Sequence, residues 1–178
     1  IREDYKSSNN GRYFGAYLNW THDKVVFETT LHGNTGEAAP IKVNDLYNIK
    51  NGSSDGVSKY SAIDDCIAYT YNATDVSRWC MNCVSCYDRD HCSVTGLGIL
   101  GALGDYDYCA NRYNRYTADK LNRPDFRGNA GIVLMDFAGA SNATMTYGQT
   151  YSNMAVYGDD LVEAVIGANN KWDLRRNE

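Results

Sequence analysis

Three things are scarce in this chain, and each scarcity closes off a class of protein. Proline occurs only at Pro40 and Pro124, too few for a proline-rich linker or a polyproline ligand. Basic charge is thin: Lys and Arg total 17 against 22 Asp and Glu, for a net charge of −5, and no basic run occurs. A nucleic-acid partner is therefore not expected, because clustered cations are what bind a phosphate backbone. No apolar stretch approaches the roughly 18 residues that read as a membrane-crossing helix; peripheral contact with a bilayer stays open. Cofactor motifs are missing as well. No Gly-x-Gly-x-x-Gly opens a helix after a strand, and no Gly-Lys-Ser/Thr follows Gly96, Gly98, Gly101 and Gly104. Neither a dinucleotide site nor a P-loop has support, and no cofactor is expected.

What is present is the composition of one globular domain, 1–178, with 43% hydrophobic and 22% charged residues. The 15 tyrosines suit a sugar-facing or interfacial surface. Six cysteines, Cys66, Cys80, Cys83, Cys86, Cys92 and Cys109, crowd the middle of the chain. Their spacing invites a metal reading, but zinc sites normally use two separated ligand pairs. Four Asn-x-Ser/Thr sequons, at Asn19, Asn51, Asn72 and Asn142, point instead to an oxidising, secreted setting with up to three disulfides. Six cysteines allow 15 connectivities, so the pairing stays open. The chain begins at Ile1 without a Met, and an upstream segment or a second chain is expected to complete it.

The strongest single signal is Gly131-Ile132-Val133-Leu134-Met135-Asp136-Phe137. A continuous apolar run reads as a strand buried on both faces of a parallel sheet. Ligands bind at the carboxyl ends of such strands, where Asp136 stands; its plainer role is to cap a turn. Ile41–Ile49 begins with strand alternation and then presents Asp45 and Tyr47 two residues apart. Arg78–Cys86 is a further strand, and Lys24–Thr30 a short hairpin arm. Apolar spacings of three and four predict helices over 57–71 and 107–121, and a third over 159–169 begins with two acids. Polar and glycine-punctuated loops are expected at 5–20, 51–58, 87–106 and 138–157. The order is a βα repeat with a parallel sheet. An eight-fold βα barrel needs about 250 residues, so three or four units make either an open sheet or part of a barrel.

Three patches carry a resemblance to a family. They are Asn19-Trp20-Thr21-His22-Asp23 with Phe27-Glu28-Thr29-Thr30, then Ile41-Lys42-Val43-Asn44-Asp45-Leu46-Tyr47, then the 131–137 run with Leu161–Asn169. In order and spacing they resemble the C-terminal half of a small, bacterial and fungal type of phosphatidylinositol-specific phospholipase C. The resemblance implies an α/β fold, the C-terminal half of a distorted TIM-type (β/α) barrel, completed by an N-terminal segment or a partner chain. It implies that Asp45 and Tyr47 line an inositol pocket, with Arg2 as a further inositol-binding residue. It implies that Asp136 orients a catalytic His, as a carboxylate orients imidazole elsewhere. The two His residues of that mechanism, a general base and a general acid, belong to the absent half. His22, His32 and His91 do not match them and read as surface residues, so this chain alone is expected to be inactive. A catalytically inactive protein that keeps the sugar or inositol pocket is the alternative. A purely structural α/β domain, with Asp45 and Asp136 as turn caps, is the third reading.

Overall fold

The computed structural model describes residues 12–13, 16–18, 25–33, 38–71, 78–88, 103–140 and 155–176. Arg2, Cys92, His22, His91 and the sequon asparagines Asn19, Asn72 and Asn142 lie outside them, as does the side chain of His32. In chain order the elements begin β1 (Arg12–Tyr13), β2 (Ala16–Leu18), β3 (Val26–Gly33), β4 (Ala38–Asn44), β5 (Asn48–Ile49), β6 (Ser53–Ser54) and β7 (Val57–Ser58). Then come α1 (Lys59–Tyr71), β8 (Trp79–Cys83), β9 (Tyr87–Asp88), α2 (Leu103–Leu121), β10 (Ile132–Leu134) and α3 (Gly158–Arg176).

Among the described residues six strands form one mixed sheet in the order β1-β2-β3-β4-β8-β10. The first four are antiparallel neighbours, and β4, β8 and β10 run parallel. The parallel trio shares one register, with Val43 opposite Met81 and Met81 opposite Ile132. All three carboxyl ends therefore finish at one edge of the sheet.

Helix α1 forms because Ser58 caps it, its hydroxyl accepting the Ser61 amide at 3.0 Å. Its buried stripe, Ala62, Ile63, Cys66, Ile67 and Thr70, recurs at helical spacing. The stripe packs on β4 and β8, where Asn82 of β8 reaches the Ile63 carbonyl. Lys120 of α2 holds Asp64 of α1 at 3.0 Å. The main core lies between helices and sheet and includes Leu46, Ile49, Ile63, Tyr113, Leu121, Phe126 and Leu161. A smaller cluster of Phe27, Ile41, Val43 and Met81 is separate from it. Ile41 and Val43 alternate with Lys42 and Asn44, so this cluster occupies the sheet face turned away from α1. At the amino end of β8, Trp79 meets Trp172 of α3 edge-on, with ring centroids 6.1 Å apart.

The parallel strands and the three helices stand where periodicity places them, with shifted ends. Helix α2 begins at Leu103, inside the expected loop 87–106, and α3 continues to Arg176. The expected loop 5–20 holds β1 and β2, and the polar turn 51–58 holds the β6–β7 hairpin.

The 131–137 run differs more. Only Ile132–Leu134 is strand, and Ile132 is 48% exposed, so β10 is not buried on both faces. The reason is its place in the sheet: among the described residues β10 pairs with β8 alone. Gly131 is required before it. Its φ is +64°, and a Cβ there would stand 2.3 Å from the Cys80 carbonyl oxygen.

The cysteines are expected to form up to three disulfides, and Cys92 lies outside the described residues. Among the described residues one bridge, Cys86–Cys109, ties the segment after β8 to α2. Cys66, Cys80 and Cys83 are buried thiols. Cys80 and Cys83 are three positions apart on one strand and so face opposite sides of the sheet. Cys80 meets Cys66 under α1, and that contact together with burial pushes the Cys66 thiol up.

Candidate active site at the strand ends

The site starts with two asparagines. Asn44 ends β4, and Asn82 lies opposite it on β8. Asn44 Nδ2 donates to Asn82 Oδ1 at 2.8 Å and to the Cys83 carbonyl at 3.1 Å. Its Oδ1 accepts the Leu46 amide at 2.9 Å, a side-chain turn that ends the strand and redirects the chain. The Asp45 amide donates to the Val25 carbonyl at 2.8 Å, so the turn is fixed on its other side too. Asp45 thus stands at the carboxyl end of β4, just beyond its last residue. Tyr47 comes two residues later, and its hydroxyl is 3.2 Å from that of Tyr106 on α2. Burial, and then the Tyr106 contact, push the Tyr47 phenol well above its ordinary range.

On the neighbouring strands the same edge carries Cys83, Ser85 and Asp136. The Val84 and Ser85 amides both donate to the Leu134 carbonyl, at 2.7 and 3.1 Å. That pair of bonds brings Ser85 beside Asp136, whose carboxylate takes a hydrogen bond from the Ser85 side chain. One carboxylate oxygen, Oδ2, is buried with no partner among the described residues. Burial raises the Asp136 pKa, while Ser85 and the positive charge of Lys59 pull it back down. The backbone around Asp136 is held tightly. Its carbonyl accepts from Asn114 of α2 at 3.1 Å, and Asn114 also reaches the Val156 carbonyl at 2.8 Å. The next residue, Phe137, has a left-handed φ of 59°, a sparsely populated conformation for a bulky side chain. Gly158 packs so closely against that turn that a Cβ on it would lie 1.8 Å from the Phe137 carbonyl oxygen.

Under these groups sits Lys59, the first residue of α1, fully buried. Its Nζ donates to the carbonyls of Leu46 at 2.5 Å, Cys83 at 2.7 Å and Ser85 at 2.7 Å. Burial pulls its pKa down to about 8, while Cys83, Asp136, Asp45 and Cys66 act in the opposite sense.

Of the sequence-predicted site residues, Asp45, Tyr47 and Asp136 come together. Asp136 acts electrostatically on Tyr47, and Asp45 and Asp136 both act on Lys59. Arg2 lies outside the described residues. Asn51, the one described sequon asparagine, is exposed in a turn whose amides at 51 and 52 donate to Asp88. Sequence reasoning missed Lys59, Ser85, Asn44 and Asn114. A lysine at the first position of an amphipathic stripe was the available signal for Lys59, and it reads as surface. Among the described residues no group of three or more His, Cys, Asp or Glu is placed to hold a metal ion, and no helix is long and apolar enough to cross a membrane.

No protein-family profile matches the chain. No curated protein matches it in sequence. Two solved structures share its outline, both mutants of the phosphatidylinositol-specific phospholipase C from Staphylococcus aureus. One overlays with a TM-score of 0.49 at 16% identity, covering 82% of this chain. The other does so with 0.47 at 17% identity, covering 80%. The chain spans 38% of the length of each of those structures. At that level of overlap, function has to be read from the strand-end geometry and not from the likeness.

Proposed function

We propose that this chain forms one wall of a polyol site in a secreted, phospholipase C-like phosphodiesterase that acts on phosphatidylinositol. The observation that carries the reading is Asp136: a carboxylate at the end of a parallel strand, with Ser85 beside it and one oxygen, Oδ2, buried and unpartnered among the described residues. A buried acceptor in that state awaits a donor, and an imidazole N–H fits it. In the proposed mechanism Asp136 accepts from a catalytic His supplied by sequence beyond this chain, in the precursor or on a second chain. The His takes the proton of the inositol 2-hydroxyl, whose oxygen attacks phosphorus; a second His protonates the departing diacylglycerol oxygen. The product is a cyclic inositol phosphate. Asp45 accepts hydrogen bonds from ring hydroxyls, and the Tyr47 ring lies against the inositol face, with Arg2 as a further contact. Reaching a lipid substrate requires peripheral contact with a membrane surface. The β10 edge, which has one strand partner among the described residues, is where a further strand of the barrel would add.

Turnover of phosphatidylinositol vesicles by the complete protein, read as cyclic phosphate by phosphorus NMR, tests this. Asp136→Asn is expected to lower kcat by about 100-fold or more, and Asp45→Asn to raise KM. Binding of myo-inositol without turnover would identify the inactive sugar- or inositol-binding alternative. A complete protein that neither cleaves the lipid nor binds the polyol overturns both.

A further inference from the structure

Lys59 is an unusual residue to find beneath such a site. A buried ammonium has lost its hydration, and only strong local compensation keeps it charged. Here the compensation comes from backbone. The three carbonyls it holds belong to two separate segments: Leu46 lies between Asp45 and Tyr47, while Cys83 and Ser85 belong to the end of β8 and the segment after it. An ammonium has three N–H donors, and all three are used. None remains for a ligand, so any effect Lys59 has on a ligand passes through other residues. A methionine would fill the same space without the cost of desolvation, so packing alone does not account for the charge.

We infer that Lys59 is the positioning residue of the strand-end site: its ammonium ties the segment carrying Asp45 and Tyr47 to the segment carrying Ser85, beside Asp136. The role assigned to the site rests on the function proposed above; the tie itself does not. The titratable groups that act on Lys59 are Cys83 of β8, Asp136 beyond β10, Asp45 beyond β4 and Cys66 of its own helix. Two of these are carboxylates, so the ammonium and the site acids stabilise one another's charged forms. Ser85 links the two halves of the device, since its carbonyl accepts from Lys59 and its side chain bonds Asp136.

The test tracks the Asp136 carboxyl carbon by NMR across pH, without ligand, in the native chain and in Lys59→Met. The expected result is an upward shift of the Asp136 midpoint in the variant, because the cation that favours the carboxylate is gone. A role confined to holding the fold would lower the melting temperature and leave that midpoint where it was, and an unchanged midpoint in a folded variant overturns the inference. If Lys59→Met does not fold, the native chain decides between pH 7 and 10. Loss of the Lys59 proton, assigned from its own Cε resonance, is then expected to move the Asp136 carboxyl and the Tyr47 and Ser85 amides together. No movement at those groups overturns it. myo-Inositol titrated into the complete protein reads the proposed function separately: a complete protein that neither binds it nor cleaves the lipid removes that function, and the carboxyl titration still decides Lys59.

Discussion

Asp136 and Lys59 make opposite demands on stability, and the directions of their shifts give the signs. The Asp136 pKa is raised on folding, so the folded state binds its proton more tightly than the unfolded state. Its contribution is present below the ordinary carboxylate range and is lost as pH rises through the raised folded value. At neutral pH the ionised carboxylate therefore costs stability, and Asp136→Asn is expected to raise the melting temperature at pH 7. That gain should shrink as pH falls below about 4, which thermal unfolding at both pH values would check. A residue whose replacement stabilises the fold while abolishing turnover is the signature of a site kept for function. For Lys59 the folded pKa lies below the unfolded one, so its contribution to stability grows as pH rises from about 8 toward 10.5. At this scale the sequence was partly legible. Asp136 and Asp45 announce themselves as acids placed where apolar strands stop. Lys59 and Ser85 do not, because what they do depends on carbonyls brought near only by the pairing of β4, β8 and β10.

Elements were easier to read than their ends. Helix and strand periods depend on which face is buried, and that pattern is written locally; an end depends on which neighbour arrives to pair or pack. The 131–137 run illustrates this: apolar enough for a central strand, it pairs along only three residues, since β8 offers partners for Ile132 through Leu134 and none beyond. The turn into β10 is nonetheless strict. Gly131→Ala would force a Cβ into the Cys80 carbonyl at a left-handed φ, and a loss of more than about 1 kcal/mol is expected in urea unfolding. The Cys86–Cys109 bridge closes a loop with a sequence separation of 23. On chain-entropy grounds its removal should cost about 3 kcal/mol, measurable by unfolding the Cys86→Ala, Cys109→Ala double variant. Because this bridge anchors the helix that bears Tyr106, the variant should also weaken any polyol binding through Tyr47.

For the molecule as a whole, the sheet is asymmetric. Antiparallel strands flank β4 on one side, while β10 on the other has a single described neighbour. Amide hydrogen exchange should register this, with β8 protected by neighbours on both sides and β10 exchanging orders of magnitude faster. Addition of the proposed missing strands should slow β10 selectively, and equal protection in the chain alone would count against an open edge. The mixed topology was only half visible in the sequence, where a βα repeat showed clearly and the pairing of β1 to β4 did not. Strand pairing at long range is decided by register, not by local pattern. The tryptophan contact at the far end of β8 has a practical consequence. Trp79 belongs to the sheet and Trp172 to the last helix, and both stand at the end of the strand away from Asp136 and Lys59. Indole emission from this pair is thus a built-in gauge of whether α3 is docked, and it should stay silent when a ligand fills the opposite end.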